Sequence, residues 1–403
     1  MATTLSSTLL DDARRELPGI VAIRRRIHVE PEIGLSLPLT AATIVDELEA
    51  LGLPADQGRT TTSVVSTIEG VQPGSTILLR ADMDALPLQE DTGLSFASAF
   101  AGVMHACGHD THVAMLLGAA RLLVERRSEL AGRVLLMFQP GEEGFHGARY
   151  MLDEGLLDGP GAGVTGAFAI HISNQYEAGT INLRPGPELA SNDTIRITVR
   201  GRGGHASAPH HAADPIVVAA QIVLALEVMV TRSIDAFDPA VITIAHVNAG
   251  TTTNIIPETA FLEGTMRTVS EANREATRGH IRRVVEGIAS ANGVAADVEI
   301  EPGYPVTVND PAFTEFVSDV ARALLGADAV RPMEAPIMGA EDFSYVLQHV
   351  RGALAFLGGR PAALDLLTAP QNHSNRVVFD EAAMATGAAL YAAVALEHLA
   401  QAS

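Results

Sequence analysis

The sequence predicts an α/β fold: a mixed, mostly parallel sheet flanked by helices, with a smaller two-layer α+β domain inserted into it. Three observations carry this prediction. Short apolar runs alternate with longer helical patterns over about the first 180 residues, as in sheets built from strand–helix–strand crossovers. The texture then changes near Pro185, where strands begin to alternate with period two. After Asn309 the first pattern resumes. The expected division is therefore residues 1–185 plus 301–403 for the larger domain and 186–300 for the insertion. A chain of 403 residues also exceeds what one ordinary core supports.

Each element has a local reason. "STILLRADMDALP" (Ser75–Pro87) reads as a buried strand ending in acids, "RVLLMFQPGEEG" (Arg133–Gly144) repeats that layout, and "VTGAFAIHI" (Val164–Ile172) ends in a histidine. Ligands of open α/β sheets bind beyond the carboxyl ends of strands, so three such ends carrying Asp, Glu and His predict one shared site. In the insertion, "TIRITVRGRGG" (Thr194–Gly204) is a half-exposed strand, and a helix follows with Asp214 as N-cap and Pro215 at its first position. That helix is apolar nearly all round, which calls for cover on both faces, by a partner subunit on one of them. "AVITIAHVNAG" and "TAFLEGTMRTV" are further alternating strands, and "EANREATRGHIRRVVEGIASANG" is an amphipathic helix stopped by Gly293. A helix from Pro311, the strand "ALAFLGG" and a long helix from about Asp380 complete the chain.

Composition bounds the function. The chain is 47% hydrophobic and 19% charged, the profile of a globular protein. Tryptophan is absent and aromatics make up 4%, so aliphatic side chains must build the cores. A net charge of −21 argues against nucleic acid and anionic membranes as partners, and an anionic substrate would need a local positive group. The N-terminus lacks the basic-then-apolar pattern of a signal peptide, and the apolar stretch Pro215–Val230 is broken by Gln221 and Glu227. The single cysteine forms no internal disulfide, and a cytoplasmic location is the simplest expectation.

Three constellations carry chemistry. In "HACGHDTHVAML", Cys107 and His109 can reach one metal cluster if Gly108 makes a turn, while a buried structural cysteine is the plain alternative. His105 and His112 are further candidates, or polar residues at a helix start. Glu142 and Glu143 stand side by side after an apolar strand, where like charges do not help stability. A metallohydrolase can use such a pair, one acid binding metal and the other acting as general base. Asp82 and Asp84, two apart on a pleated strand, would share a face and could bind metal or orient a ligating histidine. His171 and His373 would complete a Cys, His and carboxylate set.

Nine motifs then occur in order: "RADMDALP", "HACGHDTH", "PGEEG", "AIHI", "GRGGHASAPH", "NIIPET", "EGTMRT", "MGAEDF" and "NHS". Over essentially the whole chain the sequence resembles the aminoacylase/carboxypeptidase family of dinuclear metallohydrolases with the zinc-exopeptidase fold. Within it, the resemblance is to the branch of hippurate and indole-acetyl-amino-acid hydrolases. The resemblance implies two divalent metal ions held by Cys107, His109, Glu143, His171 and His373, with zinc first and manganese, cobalt or nickel as alternatives. It implies that Glu142 is the general base toward a metal-bridging water and that Asp84 has an orienting role. Asp82 stands where other branches carry a ligating histidine, which leaves its role open. The insertion becomes a lid and dimerisation domain whose His205 stabilises the oxyanion, in cis or across a dimer interface, while Asn254 and Arg267 hold a substrate carboxylate. A homodimer or homotetramer through the lid is implied. Thr111 replaces a common Gly, and Phe145-His146 replaces small residues.

The implied function is hydrolysis of N-acyl amino acids with acetyl-, benzoyl- or indole-acetyl-like acyl groups. A dipeptidase or carboxypeptidase is the alternative within the same chemistry. A cysteine hydrolase with Cys107 as nucleophile is more remote, because it leaves Glu142, Glu143, His171 and His373 without a task. A binding protein without catalysis would have no use for Glu142.

Overall fold

The computed structural model describes residues 2–159 and 161–401, with side chains from residue 8 onward. It divides into two compact units: 1–188, 308–335 and 342–403 in the first, and 189–307 with 336–341 in the second. The second unit thus runs past the expected boundary at 300. It also takes in a short segment at 336–341, anchored where Ala190 N donates to the carbonyls of Ile337 (3.0 Å) and Gly339 (2.9 Å).

The first unit is built on an eight-stranded sheet. Its parallel centre runs Ala131–Gln139, Gln72–Asp82, Val164–Glu177, Gly352–Arg360. Antiparallel Val64–Glu69 lies beyond Ala131–Gln139, and antiparallel Ile181–Leu183 lies beyond Gly352–Arg360. From Thr76 to Asp82 the Gln72–Asp82 strand is covered almost completely, as a strand inside an α/β sheet must be. Helices His109–Glu125 and Ala383–Gln401 pack on these strands, and Ala2–Val29 packs on both helices. Gly118 is where they meet most closely: a Cβ there would lie 2.6 Å from Ile20 Cδ1 and 3.3 Å from Ala388 Cβ. Aliphatic residues dominate the resulting core.

The second unit is a four-stranded antiparallel sheet in the order Ala240–Ala249, Thr259–Thr268, Asp193–Arg200, Ala295–Pro302. Helices Pro215–Ser233 and Glu271–Ala291 pack on it as a second layer. Asp214 caps the first, accepting from Ile216 N at 2.9 Å, and Ser270 caps the second, accepting from Asn273 N at 3.1 Å. Val218, Ile222, Leu226 and Met229 of the first helix enter the core, whereas Val217, Leu224 and Val228 are exposed. Within the unit the helix is therefore covered on one side only. Asp193 is buried and neutralised by Arg274 (2.6 Å) and Arg278 (2.9 Å). Pro215–Ser233 and Ala383–Gln401 are long and apolar enough to cross a membrane, yet each packs against protein in its own unit.

Candidate metal centre

The carboxyl ends of the central strands converge. Gln72–Asp82 ends in Asp82, Ala131–Gln139 runs into Glu142 and Glu143, and His171 lies in the last half of Val164–Glu177. Cys107 and His109 flank Gly108, whose φ of 91° lies in the left-handed region. A side chain at 108 would also collide with Ile172, the ideal Cβ lying 2.5 Å from its Cγ2. Glycine is required there both by conformation and by space. Thr111, one turn into the helix, donates its hydroxyl to the Gly108 carbonyl at 2.6 Å and braces the turn.

Two ligand triads share one sulfur. Cys107, His109 and His171 form the first, and Cys107, Glu143 and His373 the second; within each the donor atoms lie within 4.8 Å of one another. His171 Nε2 is 3.4 Å from Cys107 Sγ, and His373 Nε2 is 3.3 Å from the same sulfur and 3.2 Å from Glu143 Oε1. His373 holds a positive φ of 68°, unusual for a residue with a side chain, and its N–H donates to the Ala106 carbonyl. Asn372 fixes this loop by donating to the carbonyls of Cys107 (3.0 Å) and Ile172 (2.9 Å). His171 donates Nδ1–H to the Ile172 carbonyl at 2.8 Å, which leaves Nε2 bare and facing the sulfur. Its pKa lies well below the ordinary value, chiefly through burial and then through His112.

Asp84 organises the Glu pair. Its Oδ1 accepts from Glu142 N at 2.9 Å and its Oδ2 from Glu143 N at 3.0 Å. The strand ends at Asp82, so the two aspartates do not share a strand face as the sequence suggested. They approach His109 by opposite nitrogens instead: Asp84 Oδ1 is 3.4 Å from Nδ1, and Asp82 Oδ2 is 3.6 Å from Nε2. Burial opposes a charge on Asp82, but Arg80, His109 and His112 outweigh it and hold the carboxyl well below its usual range. Glu142 is 6% exposed, and its carboxylate groups with Glu143 and His109 within 4.8 Å.

The donor set fits a pair of divalent cations. It combines a thiol, three imidazoles and a carboxylate, the mixed set that suits zinc and its neighbours. Both ring nitrogens of His109 are buried without a hydrogen bond among the described residues. The cluster also favours positive charge: against burial, Asp82 and Cys107 hold the His109 pKa well above its ordinary value, and Cys107 and Glu143 lift His373 to about 10. Burial and Glu143 push the Cys107 thiol up. A cation would take the place of those protons.

Other sequence candidates separate. His105 belongs to no ligand group among the described residues, and burial pushes its pKa down to about 3. His146 has a left-handed backbone at φ 59° and turns Nδ1 to the Tyr345 hydroxyl at 2.9 Å, while Phe145 is exposed beside Gly34. Sequence reasoning missed Arg24 and His28 of the first helix, both buried and both within 2.8 Å of Asp110 Oδ2 in the first turn of the ligand helix. In the second unit, His205 Nδ1 accepts from the backbone N–H of Ser207 (3.1 Å) and pairs with its hydroxyl (2.8 Å), which leaves Nε2–H as a donor. Asn254 Oδ1 accepts from Thr252, and its amide nitrogen has no partner among the described residues. Arg267 is half-buried, with no acidic partner among the described residues, and desolvation lowers its pKa.

A family model described as peptidase family M20/M25/M40 matches residues 78–397. Thermostable carboxypeptidase 1 of Saccharolobus solfataricus is 41% identical over 397 residues, covering 98% of each chain. IAA-amino acid hydrolase ILR1-like 4 of Arabidopsis thaliana is 37% identical over 384 residues, covering 94% of this chain and 86% of that one. The crystal structure of the Bacillus subtilis YxeP protein, a dinuclear metal-binding peptidase, superposes with a TM-score of 0.83 at 34% identity, covering 95% of this chain and 98% of that one.

Proposed function

Because this chain belongs to peptidase family M20/M25/M40 and is a metal-dependent hydrolase of linear amide bonds, we propose that it cleaves N-acyl amino acids with Glu142 as general base. The observation that carries the reading is Glu142 beside two ligand triads, its backbone held by Asp84. Cys107, His109 and His171 would hold one divalent cation, and Cys107, Glu143 and His373 the other. When bound, the cations supply Lewis acidity toward the amide carbonyl and toward water. Zinc is our first choice on the thiol and imidazole donors, ahead of manganese, cobalt and nickel.

The chain's own groups do the rest. Glu142 takes a proton from the attacking water and returns it to the leaving amine nitrogen. Asp84 sets the position of that carboxylate through two backbone N–H groups. His205 offers Nε2–H to the oxyanion as it develops, where one donor is worth about 3–4 kcal/mol of barrier. Arg267, charged and without a counter-ion among the described residues, binds the substrate's carboxylate with Asn254. The exposed Val217, Leu224 and Val228, next to the edge strand Ala240–Ala249 with its exposed Val241 and Val247, support a homodimer through the second unit. A reduced Cys107 suits the cytoplasm.

The 41% identity to a carboxypeptidase favours a second reading, in which dipeptides or peptides are the substrates. A hydrolysis screen over acetyl-, benzoyl- and indole-acetyl-amino acids with dipeptides alongside separates the two. Glu142→Gln tests the mechanism: it keeps both metals and loses nearly all turnover. Full loss of activity on thiol alkylation, with none on chelation, would instead establish Cys107 as a nucleophile.

A further inference from the structure

Asp82, His109 and His112 place three donor atoms within 4.8 Å and look like a third ligand group. Their hydrogen bonds contradict that. Ile172 N donates to His112 Nε2 at 2.8 Å, so this nitrogen carries no proton and offers no free lone pair. The proton must then sit on Nδ1, which donates to Asp82 Oδ1 at 2.5 Å. Both nitrogens are committed. Asp82 is committed as well: Arg80 donates Nη1–H to Oδ2 at 2.6 Å. Arg80 is 1% exposed and anchored by Gln139 (2.9 Å) and Asp342 (3.2 Å). Freeing Asp82 for a cation would take the shorter of two carboxylate contacts from a buried guanidinium, which is costly.

We propose that His112 and Asp82 are positioning residues that hold the two imidazoles of the Cys107–His109–His171 triad. One arm runs through the backbone: His112 fixes Ile172 N, and the Ile172 carbonyl fixes the tautomer and direction of His171. The other is electrostatic: the Asp82 carboxylate faces the His109 ring without a hydrogen bond, its Oδ2 3.6 Å from Nε2. The three rings pack on one another, with centroids 4.7 Å apart for His112 and His171 and 5.4 Å apart for His109 and His112. Neither arm bonds Glu143 or His373 itself; the nearest approach is the Ile172 carbonyl, which also accepts from Asn372 beside His373. The pair therefore acts chiefly on one cation of the two, and such outer partners typically govern metal affinity by about 10–100-fold. This inference rests on the dinuclear reading above.

The test is a zinc titration of metal-depleted protein against a chromophoric chelator, for wild type, His112→Phe, His112→Asn and His112→Gln. Thermal unfolding of each metal-free variant shows whether it is folded. Asn keeps an N–H where Nδ1–H points at Asp82, and Gln reaches Ile172 N with its carbonyl oxygen, so each retains one arm. Expected is a loss of about 10–100-fold in one of two zinc affinities for the Phe variant, with partial recovery in Asn and Gln. The other affinity moves only a few-fold. Two wild-type affinities in His112→Phe, or an equal loss at both steps in all three variants, overturns the proposal. Wild type that binds fewer than two zinc ions overturns the dinuclear reading itself, a separate outcome.

Discussion

The imidazole of His28 is the clearest place to test the electrostatics of this fold. The ring is 1% exposed, with Nδ1 2.8 Å from Asp110 Oδ2 and Nε2 3.3 Å from Glu90 Oε1. Two carboxylate acceptors call for two donors, so the ring is an imidazolium. Burial opposes that charge, but the charge and hydrogen bond of Asp110, with those of Glu90, outweigh it and lift the pKa from 6.5 to about 9. A pKa raised in the folded state contributes stability that is complete below the unfolded value and is lost as pH rises through the folded one. A rise of this size corresponds to about 3 kcal/mol, present at about pH 6 and gone above about pH 9. His28→Gln removes the titration and keeps an amide donor. The assay is urea unfolding of metal-saturated wild type and variant from pH 6 to pH 10, taking the stability difference at each pH so that other groups cancel. We expect the difference to fall by about 3 kcal/mol across that range. A difference that does not change with pH would refute the imidazolium, and with it the account of how the first helix grips the ligand helix.

Two further outcomes follow from groups in opposite circumstances. Glu188 is fully buried, its Oε2 accepting from Arg184 N (3.0 Å) and Asn309 Nδ2 (3.2 Å) while Oε1 has no partner among the described residues, and burial pushes its pKa up to about 8. An acid raised in the folded state destabilises increasingly as pH climbs from its unfolded value toward its folded one. Glu188→Gln should therefore raise the thermal midpoint at pH 8 by several degrees, with a gain that shrinks toward pH 5. Arg267→Ala should raise KM through loss of a carboxylate contact worth about 1.5–3 kcal/mol, with Arg267→Lys recovering part of it. An unchanged KM would remove Arg267 from substrate binding.

Legibility in the sequence followed how local the chemistry is. Cys107-Gly-His109 opens a helix and Glu142-Glu143 follows a strand; each is compact in sequence and modest alone, and their company, nine motifs in order, pointed to a metal hydrolase. His112 and Asp82 are thirty positions apart, and their meaning depends on a hydrogen bond from a third segment, Ile172. No periodicity encodes that. His105 shows the converse: it lies two residues from Cys107 in sequence, yet its ring packs toward His28, at 6.2 Å, and joins no ligand group among the described residues. The helix at Pro215 was apolar enough to predict cover on both faces, and its own unit covers one. The return of 336–341 to the second unit escaped prediction because two backbone hydrogen bonds from Ala190 anchor that segment, and a backbone contact leaves no side-chain pattern.

The main chain of Ile172 also bears on how the protein tolerates mutation. Its N–H and its carbonyl together receive or supply three of the hydrogen bonds around the ligands, to His112, His171 and Asn372. Main-chain atoms make all of them, so exchanging the side chain at 172 removes none; only proline, which lacks the N–H, would. What position 172 must respect is size, because its Cγ2 closes on Gly108. The genetic vulnerability of this part of the centre is displaced onto the side chains at 112 and 372. A saturation scan should find position 172 permissive to medium aliphatic residues and both of those positions intolerant.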